Sequence, residues 1–167
     1  MKLARLLVTS AAIIAVAACE SGDPPLGPCE RSFTVEAPDG TVTRELTEPD
    51  DNNNICIGGD DGVICGTAGL CDDGNACEIS LVLPNAGGTG SYQAGETGDN
   101  DNAVFTVGWG DTPSGITKRS SSISGTVVVV EFDTQATGTF EGVGGLEGTA
   151  DTAPTSAKFC TPSDLVR

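Results

Sequence analysis

Cysteine is the residue type whose number and spacing offer this chain the most chemistry. A thiol can accept a lipid, bind a metal ion or form a disulfide. A zinc site normally uses closely spaced cysteines or histidines. This chain has no histidine, and from residue 56 its cysteines follow the spacing C-x8-C-x5-C-x5-C, so disulfides are favoured over zinc. The seven cysteines are Cys19, Cys29, Cys56, Cys65, Cys71, Cys77 and Cys160.

The six cysteines after Cys19 form an even set, which is typical of three disulfides in an exported protein. Six cysteines allow 15 connectivities. Because Cys160 lies near the end of the chain and can close a domain, we expect it to pair with Cys29 or Cys77.

Acidic side chains are the second source of possible chemistry, because calcium prefers six to eight oxygen ligands. An EF-hand loop starting at Asp50 would need Gly at its sixth position and Glu at its twelfth, but those positions hold Ile55 and Asp61. The acidic clusters are therefore interpreted as solvated turns, with calcium as the alternative and no other cofactor expected. The calcium candidates are Asp99, Asp101, Asp72 and Asp73.

The sequence shows few of the residue combinations that enzymes use for catalysis, and no residue is assigned a catalytic role. The lack of histidine excludes Ser-His-Asp and Cys-His nucleophile systems. A pair of carboxylates could hydrolyse a glycosidic bond, but nothing in the sequence selects two acids among 24. One Trp, one Tyr and five Phe also offer few rings to line a sugar cleft. A non-catalytic protein is favoured over a glycan hydrolase.

The first 18 residues have the pattern of an export signal. Lys2 and Arg5 precede an uncharged stretch over 6–18. That stretch is shorter than the roughly 20 apolar residues of a transmembrane helix but suits the apolar region of a signal peptide. The sequence therefore predicts a signal peptide over 1–18.

Val16-Ala17-Ala18-Cys19 resembles the lipobox of bacterial prolipoproteins. The resemblance implies cleavage before Cys19, diacylglycerol on its thiol, a fatty acyl chain such as palmitate on the new amino terminus, and attachment to a membrane. The Pro- and Gly-containing stretch 20–28 is predicted to be a flexible tether. An Asp after the lipidated cysteine is the better-known signal for inner-membrane retention, and Glu20 stands there instead. The outer membrane is therefore favoured over the inner.

Charge restricts the partners of the chain from Cys19 onward. It holds six basic and all 24 acidic residues, a formal charge of −18. Such a surface repels phosphate backbones and anionic bilayers, so nucleic acid is excluded as an expected partner. Besides the membrane reached through the lipid, the expected partner is an envelope or extracellular protein or glycan.

The fold is predicted to be all-β, a small antiparallel sandwich or partly open barrel preceded by a disulfide-tied irregular segment. A hairpin is predicted over 31–47, and residues 48–77 have too few apolar side chains to predict regular structure. The domains are 29–77, with the hairpin and the Cys-rich loops, and 78–167, the β-domain; 29–167 is expected to fold as one unit. Within the β-domain, alternating apolar residues predict strands over 79–83, 103–109, 123–132, 137–143 and 156–160.

Two short segments of the sequence resemble motifs of known protein families. Cys71 to Cys77 contains CDDGN, which is similar to the core of cysteine-rich repeats in bacterial surface proteins and implies a disulfide-bearing turn. The stretch 122–140, with G-T-apolar, F-D and G-T-F, is similar to hairpins in small β-domain lipoproteins of diderm bacteria and implies architecture only. The sequence thus predicts an envelope-anchored structural or interaction module, with a calcium-dependent adhesion or matrix module as the alternative.

Overall fold

The described chain folds into ten β-strands, which confirms the all-β class. The computed structural model describes residues 29–50, 54–59, 62–85, 87–96, 101–133 and 135–162, and these contain no helix. The strands are β1 Ser32–Ala37, β2 Gly40–Pro49, β3 Ile55–Gly59, β4 Gly62–Cys71, β5 Ala76–Pro84, β6 Gly90–Ala94, β7 Val104–Trp109, β8 Lys118–Phe132, β9 Gln135–Leu146 and β10 Thr152–Pro162.

Eight of these strands close into an antiparallel barrel. The order around it is β1-β10-β9-β8-β7-β5-β4-β2, and pairing of β2 with β4 completes the circuit. Strand β3 is added beside β4 and β6 beside β8. The architecture is therefore a closed barrel, where the sequence had left a sandwich or a partly open barrel. Closure pairs the sheet edges that an open sheet would expose.

Every strand that the sequence predicted is present. Residues 79–83 lie in β5, 123–132 in β8 and 137–143 in β9. The predicted hairpin is formed by β1 and β2, in register from Ser32 opposite Glu45 to Ala37 opposite Gly40. These segments have the clearest alternation, so each strand can bury one face unaided.

The prediction that residues 48–77 are irregular is wrong. Strands β3 and β4 occupy most of this segment, and β4 is a full member of the barrel. Val63, Cys65 and Thr67 are buried while alternate residues of β4 point outward. So few apolar side chains suffice because neighbouring strands supply the rest of the core. The barrel therefore draws strands from both sides of the boundary predicted at 77/78.

The valine run of β8 also differs from expectation. A run of four β-branched residues is typical of a strand covered on both faces, but Val127 and Val129 are buried while Val130 is 68% exposed. The register with β9 shifts between Val129 and Glu131, so Val130 is the extra residue of a β-bulge. One face of this strand packs inward through Val127 and Val129, and Val130 lies on the opposite, outer face.

Aromatic side chains fill the barrel interior. Phe105 stacks on Phe140 at 4.7 Å between ring centroids and meets Phe159 at 5.9 Å. Trp109 lies 6.0 Å from Phe33 and is 3% exposed, so it belongs to the core. The interior is thus a packed hydrophobic core that holds the strands at fixed positions.

Candidate functional site

The predicted lipid site lies outside the described residues. Cys19, the signal peptide over 1–18 and the tether over 20–28 all precede residue 29, where the described chain begins. Lipidation and export therefore stay predictions from the sequence.

The remaining six cysteines form three disulfides, as predicted. They are Cys29–Cys160, Cys56–Cys65 and Cys71–Cys77. Of the two partners proposed for Cys160, Cys29 is confirmed. The bond from Cys29 to Cys160 joins residues 131 apart and fastens the segment before β1 to β10. Cys56 and Cys65 are directly opposed in register, so this bond fixes β3 to β4.

Asp72 and Asp73 lie in the turn between β4 and β5, and their carboxylates have partners in that turn and on β2. Asp72 accepts a hydrogen bond from the backbone N–H of Glu45 at 3.3 Å. Asp73 accepts one from the backbone N–H of Asn75 at 3.0 Å and one from its side-chain amide at 2.9 Å. Arg44 Nε lies 2.9 Å from Asp73 as an ion pair, although its geometry is not that of a hydrogen bond. These contacts are those of a structural turn.

The pKa of Asp73 lies below its ordinary value. Partial burial alone would raise this pKa, but the two hydrogen bonds from Asn75 and the positive charge of Arg44 together outweigh burial and lower it. Asp73 is therefore held as a carboxylate by its own turn.

The other calcium candidates are Asp99 and Asp101. Asp99 lies outside the described residues, and Asp101 is exposed just before β7. Within the described ranges, no group of three or more acidic or cysteine side chains is arranged to hold a metal ion. The structure thus assigns Asp72 and Asp73 to a turn and brings no calcium ligands together among the residues it describes.

A continuous row of aliphatic side chains crosses the outside of four neighbouring strands. Ile57 of β3 lies directly opposite Ile64 of β4. Ile64 lies opposite Val82 of β5, and Val82 opposite Val104 of β7. Ile55 lies two residues before Ile57 and therefore on the same side of β3. We call these five residues the outer aliphatic face.

These side chains are exposed to an unusual degree for their type. Ile57 is 57% exposed and Ile64 58%, while Ile55 and Val82 are 39% and 37% exposed. Directly opposed side chains on one face of a sheet touch each other, so they form one patch. Contiguous exposed apolar patches commonly mark sites of interaction, whereas single exposed residues do not.

The surroundings of the outer aliphatic face are small and almost uncharged. The neighbouring row across the same strands holds Gly66, Ser80 and Thr106. Strands β3, β4, β5 and β7 together contain one charged residue, Glu78. The side chains next to the face are therefore short, so a second surface can approach the backbone closely there.

Glu78 is itself neutralised by a neighbour. Its carboxylate accepts a hydrogen bond from Arg119 Nε at 2.5 Å, and the same guanidinium lies 3.4 Å from Glu147. The hydrogen bond and charge of Glu78, followed by those of Glu147, raise the pKa of Arg119. Glu78 lies four residues along β5 from Val82, so this ion-pair group is separated from the face by the row of Ser80 and Thr106.

Sequence reasoning missed the outer aliphatic face because it treated Ile55, Ile57 and Ile64 as isolated apolar residues in a loop. A signal was present: Gly59-Asp60-Asp61-Gly62 separates two Ile-Cys dipeptides, and such a Gly- and Asp-rich centre between short apolar runs is typical of a β-hairpin. With that hairpin recognised, period-2 alternation places the cysteines on one side and the isoleucines on the other.

A second feature is a groove of about 230 Å³ lined by residues of β1, β2, β9 and β10, both apolar and polar. The hydroxyl groups of Thr34 and Thr43, two of its lining residues, form a hydrogen bond of 3.1 Å. Lys158, also in the lining, forms an ion pair with Glu30. Glu141 is the carboxylate among its lining residues. A carboxylate-pair mechanism requires two acids in one cleft, so this groove lacks the second.

Comparison with known proteins gave no match of this chain to any family model, curated protein or solved structure. Within the described ranges, no helix has the length and apolar character needed to span a bilayer.

Proposed function

We propose that this protein is an envelope-anchored lipoprotein whose barrel is a non-catalytic interaction module, and that it binds a partner protein through the outer aliphatic face. The observation that carries the proposal is the unbroken outward row from Ile57 through Ile64 and Val82 to Val104, in which the first three side chains are exposed and Val104 is partly exposed. The barrel supplies a rigid support for that row.

The energetic argument concerns water. Fully burying an isoleucine side chain contributes roughly 1.5–3 kcal/mol. Because Ile57 and Ile64 each keep more than half of their surface exposed, about 1 kcal/mol or more per side chain is not realised within the barrel. Covering the face with a partner would gain this free energy, and no strand of the described barrel covers it.

The anchoring half of the proposal is supported by the sequence. A basic start, the uncharged stretch 6–18 and the Val16-Ala17-Ala18-Cys19 motif are the elements of a lipoprotein signal. Three disulfides also agree with an oxidising compartment outside the cytoplasm. A tethered module of this kind would meet its partner at the membrane surface.

In-cell photocrosslinking tests the interaction. A photoreactive amino acid at Ile57 should give a discrete crosslinked species, and the same group at Val130 should not, since Val130 is exposed but lies on β8 away from the face. Equal crosslinking from both positions, or none from Ile57, would remove the support for this face as an interaction site.

Metabolic labelling tests the anchor separately. Growth with an alkyne-tagged palmitate should label the wild-type protein, and Cys19→Ser should abolish the label and release the protein from the membrane fraction. An unlabelled wild-type protein in the soluble fraction would contradict lipid anchoring and leave the interaction proposal to its own test.

A further inference from the structure

We infer that the groove lined by β1, β2, β9 and β10 binds an uncharged glycan, one or two sugar rings at a time, without cleaving it. This site is separate from the outer aliphatic face, which lies on β3, β4, β5 and β7, so the inference does not rest on the proposed function. It follows from the position of the groove between two rows of side chains, from the groups that line it and from the poor fit of other ligands.

The groove runs across the strands between two rows of outward side chains. The first row is Thr43, Thr34, Ser156 and Glu141, each opposite the next in register. The second row, on the far side of the groove, is Ser32, Lys158 and Thr139. Between the rows lie Phe33, Ala157 and Phe140, whose side chains are buried on the inner side of the sheet, so their backbone forms the floor. Four strands spaced about 4.8 Å apart give the groove a length of roughly 14 Å.

The lining has hydrogen-bonding capacity to spare. Thr34 and Thr43 bond to each other, but a hydroxyl is one donor and two acceptors, so this pair keeps one free O–H and several lone pairs. Within the described ranges, no hydrogen bond or ion pair occupies the hydroxyls of Ser156 and Thr139 or the exposed carboxylate of Glu141. Each threonine also brings a methyl group, so the groove presents polar and apolar atoms side by side.

A sugar ring has the complementary surface. Its C–H groups can pack on threonine methyl groups and on the backbone floor, while its hydroxyls donate to Glu141 and exchange hydrogen bonds with the serine and threonine hydroxyls. The volume of about 230 Å³ is below the roughly 300–1,000 Å³ of pockets that enclose a drug-sized ligand, so a short stretch of a longer chain fits best. Because Phe33 and Phe140 keep their rings in the core and cannot stack on the sugar, we expect a dissociation constant on the order of 1 mM.

Other ligands fit the groove less well. An extended peptide cannot add a strand here, because β1, β9 and β10 are already paired along both edges. An anion would meet Glu141 and the formal charge of −18 of the chain from Cys19 onward, and Lys158 is already paired with Glu30. Calcium prefers six to eight oxygen ligands, and the lining offers it one carboxylate. An uncharged, hydroxyl-rich ligand is the class that remains.

An NMR titration of the full chain carrying Cys19→Ser tests the site, because amide shifts report millimolar binding and the residues involved. The uncharged probes are cellotriose, mannotriose and triacetylchitotriose, and trigalacturonate is the anionic analogue of the same length. Ser156→Tyr places a ring in the groove and should block it, and Glu141→Gln removes the charge of its carboxylate. Glu36→Gln is the matched control, because Glu36 is an exposed glutamate of β1 that does not line the groove.

The expected result is binding confined to the groove. At least one uncharged trisaccharide should shift the amides of Thr34, Thr139 and Ser156, and trigalacturonate should bind at least about tenfold more weakly. Ser156→Tyr should abolish these shifts and leave Tm within about 2 °C of the wild type, because its side chain points outward. Glu141→Gln should weaken binding about five- to tenfold, and Glu36→Gln less than twofold.

Four results would overturn the inference. No shift of the groove amides by any uncharged probe at about 20 mM, a concentration far above the expected dissociation constant, would refute the site. Shifts that persist unchanged in Ser156→Tyr would place binding elsewhere. If Ser156→Tyr lowers Tm, Glu141→Gln decides instead, and an effect no larger than that of Glu36→Gln would refute the groove. Trigalacturonate that binds as tightly as the uncharged probes would refute the preference for an uncharged glycan.

Discussion

The Cys29–Cys160 disulfide has a large expected effect on stability that can be calculated from the structure. It joins positions 131 residues apart, so it constrains almost the whole described chain when the protein is unfolded. Replacing both cysteines with alanine should leave the local fold in place. Arg31 Nε would still donate to the carbonyl oxygen of residue 160 at 2.7 Å, and β10 would keep its pairing with β9.

The expected loss follows from loop-closure entropy. In the chain-entropy description, a closed loop of this length stabilises the folded state by about 5 kcal/mol at 25 °C. The same description gives about 2 kcal/mol for Cys71–Cys77, whose residues are 6 apart. Since single domains are stable by about 5–15 kcal/mol, loss of the long-range bond should bring the protein close to spontaneous unfolding.

Urea unfolding followed by circular dichroism measures both quantities. The double variant Cys29→Ala with Cys160→Ala should lose about 5 kcal/mol and show a larger m-value, because its unfolded chain expands further. Cys71→Ala with Cys77→Ala is the control and should show little change in the m-value. A loss under about 2 kcal/mol for the long-range variant, with an unchanged m-value, would refute the entropic argument.

Three further outcomes are expected. Because the pKa of Asp73 is lowered in the folded state, its stabilising effect is present above about pH 4 and is lost as pH falls through the lowered pKa. Asp73→Asn should therefore make the fall of Tm below about pH 4 less steep. An unchanged dependence of Tm on pH would contradict this. A Cβ on buried Gly144 would overlap Ser120 Oγ and lie 3.1 Å from Thr155 Oγ1. Gly144→Ala should therefore lower the free energy of unfolding in urea by about 1–3 kcal/mol. An unchanged free energy would show that the hydrogen-bonded pair Ser120 and Thr155 can move aside. Since Asp73 already accepts two hydrogen bonds from Asn75, millimolar calcium should leave Tm within about 1 °C, whereas a rise reversed by EDTA would point to a calcium site.

The strands that the sequence predicted are those that carry their own alternating apolar face. The hairpin of β1 and β2 and strands β5, β7, β8 and β9 all show this pattern. Strands β3 and β4 do not, because four of their five buried residues are cysteine or threonine and only Val63 is aliphatic. Their order therefore depends on neighbouring strands and on cross-links. Local sequence cannot report stabilisation that comes from elsewhere in the barrel.

Closure of the barrel depends on a contact that no local pattern encodes. Strand β2 meets β4 through Leu46 opposite Cys71 and Pro49 opposite Gly69, with a register shift between them. A Cβ at Gly69 would overlap the backbone of Glu48 and Pro49, so glycine is required for this close approach. That glycine is one of 23 in the sequence, and only the three-dimensional pairing shows which of them are required for a close approach.

The contribution of the outer aliphatic face to stability can be measured separately from its contribution to binding. Ile57 and Ile64 point away from the core, so their replacement by threonine, which keeps the β-branch, should change the free energy of unfolding by no more than about 0.5 kcal/mol. Threonine at a core position such as Val107, which is fully buried, should instead be strongly destabilising. If the isoleucine double variant lost several kcal/mol, these side chains would have to be explained by stability of the β3–β4 hairpin. If it folds as well as the wild type but loses a partner, folding does not require these exposed aliphatic residues, and binding is what accounts for them.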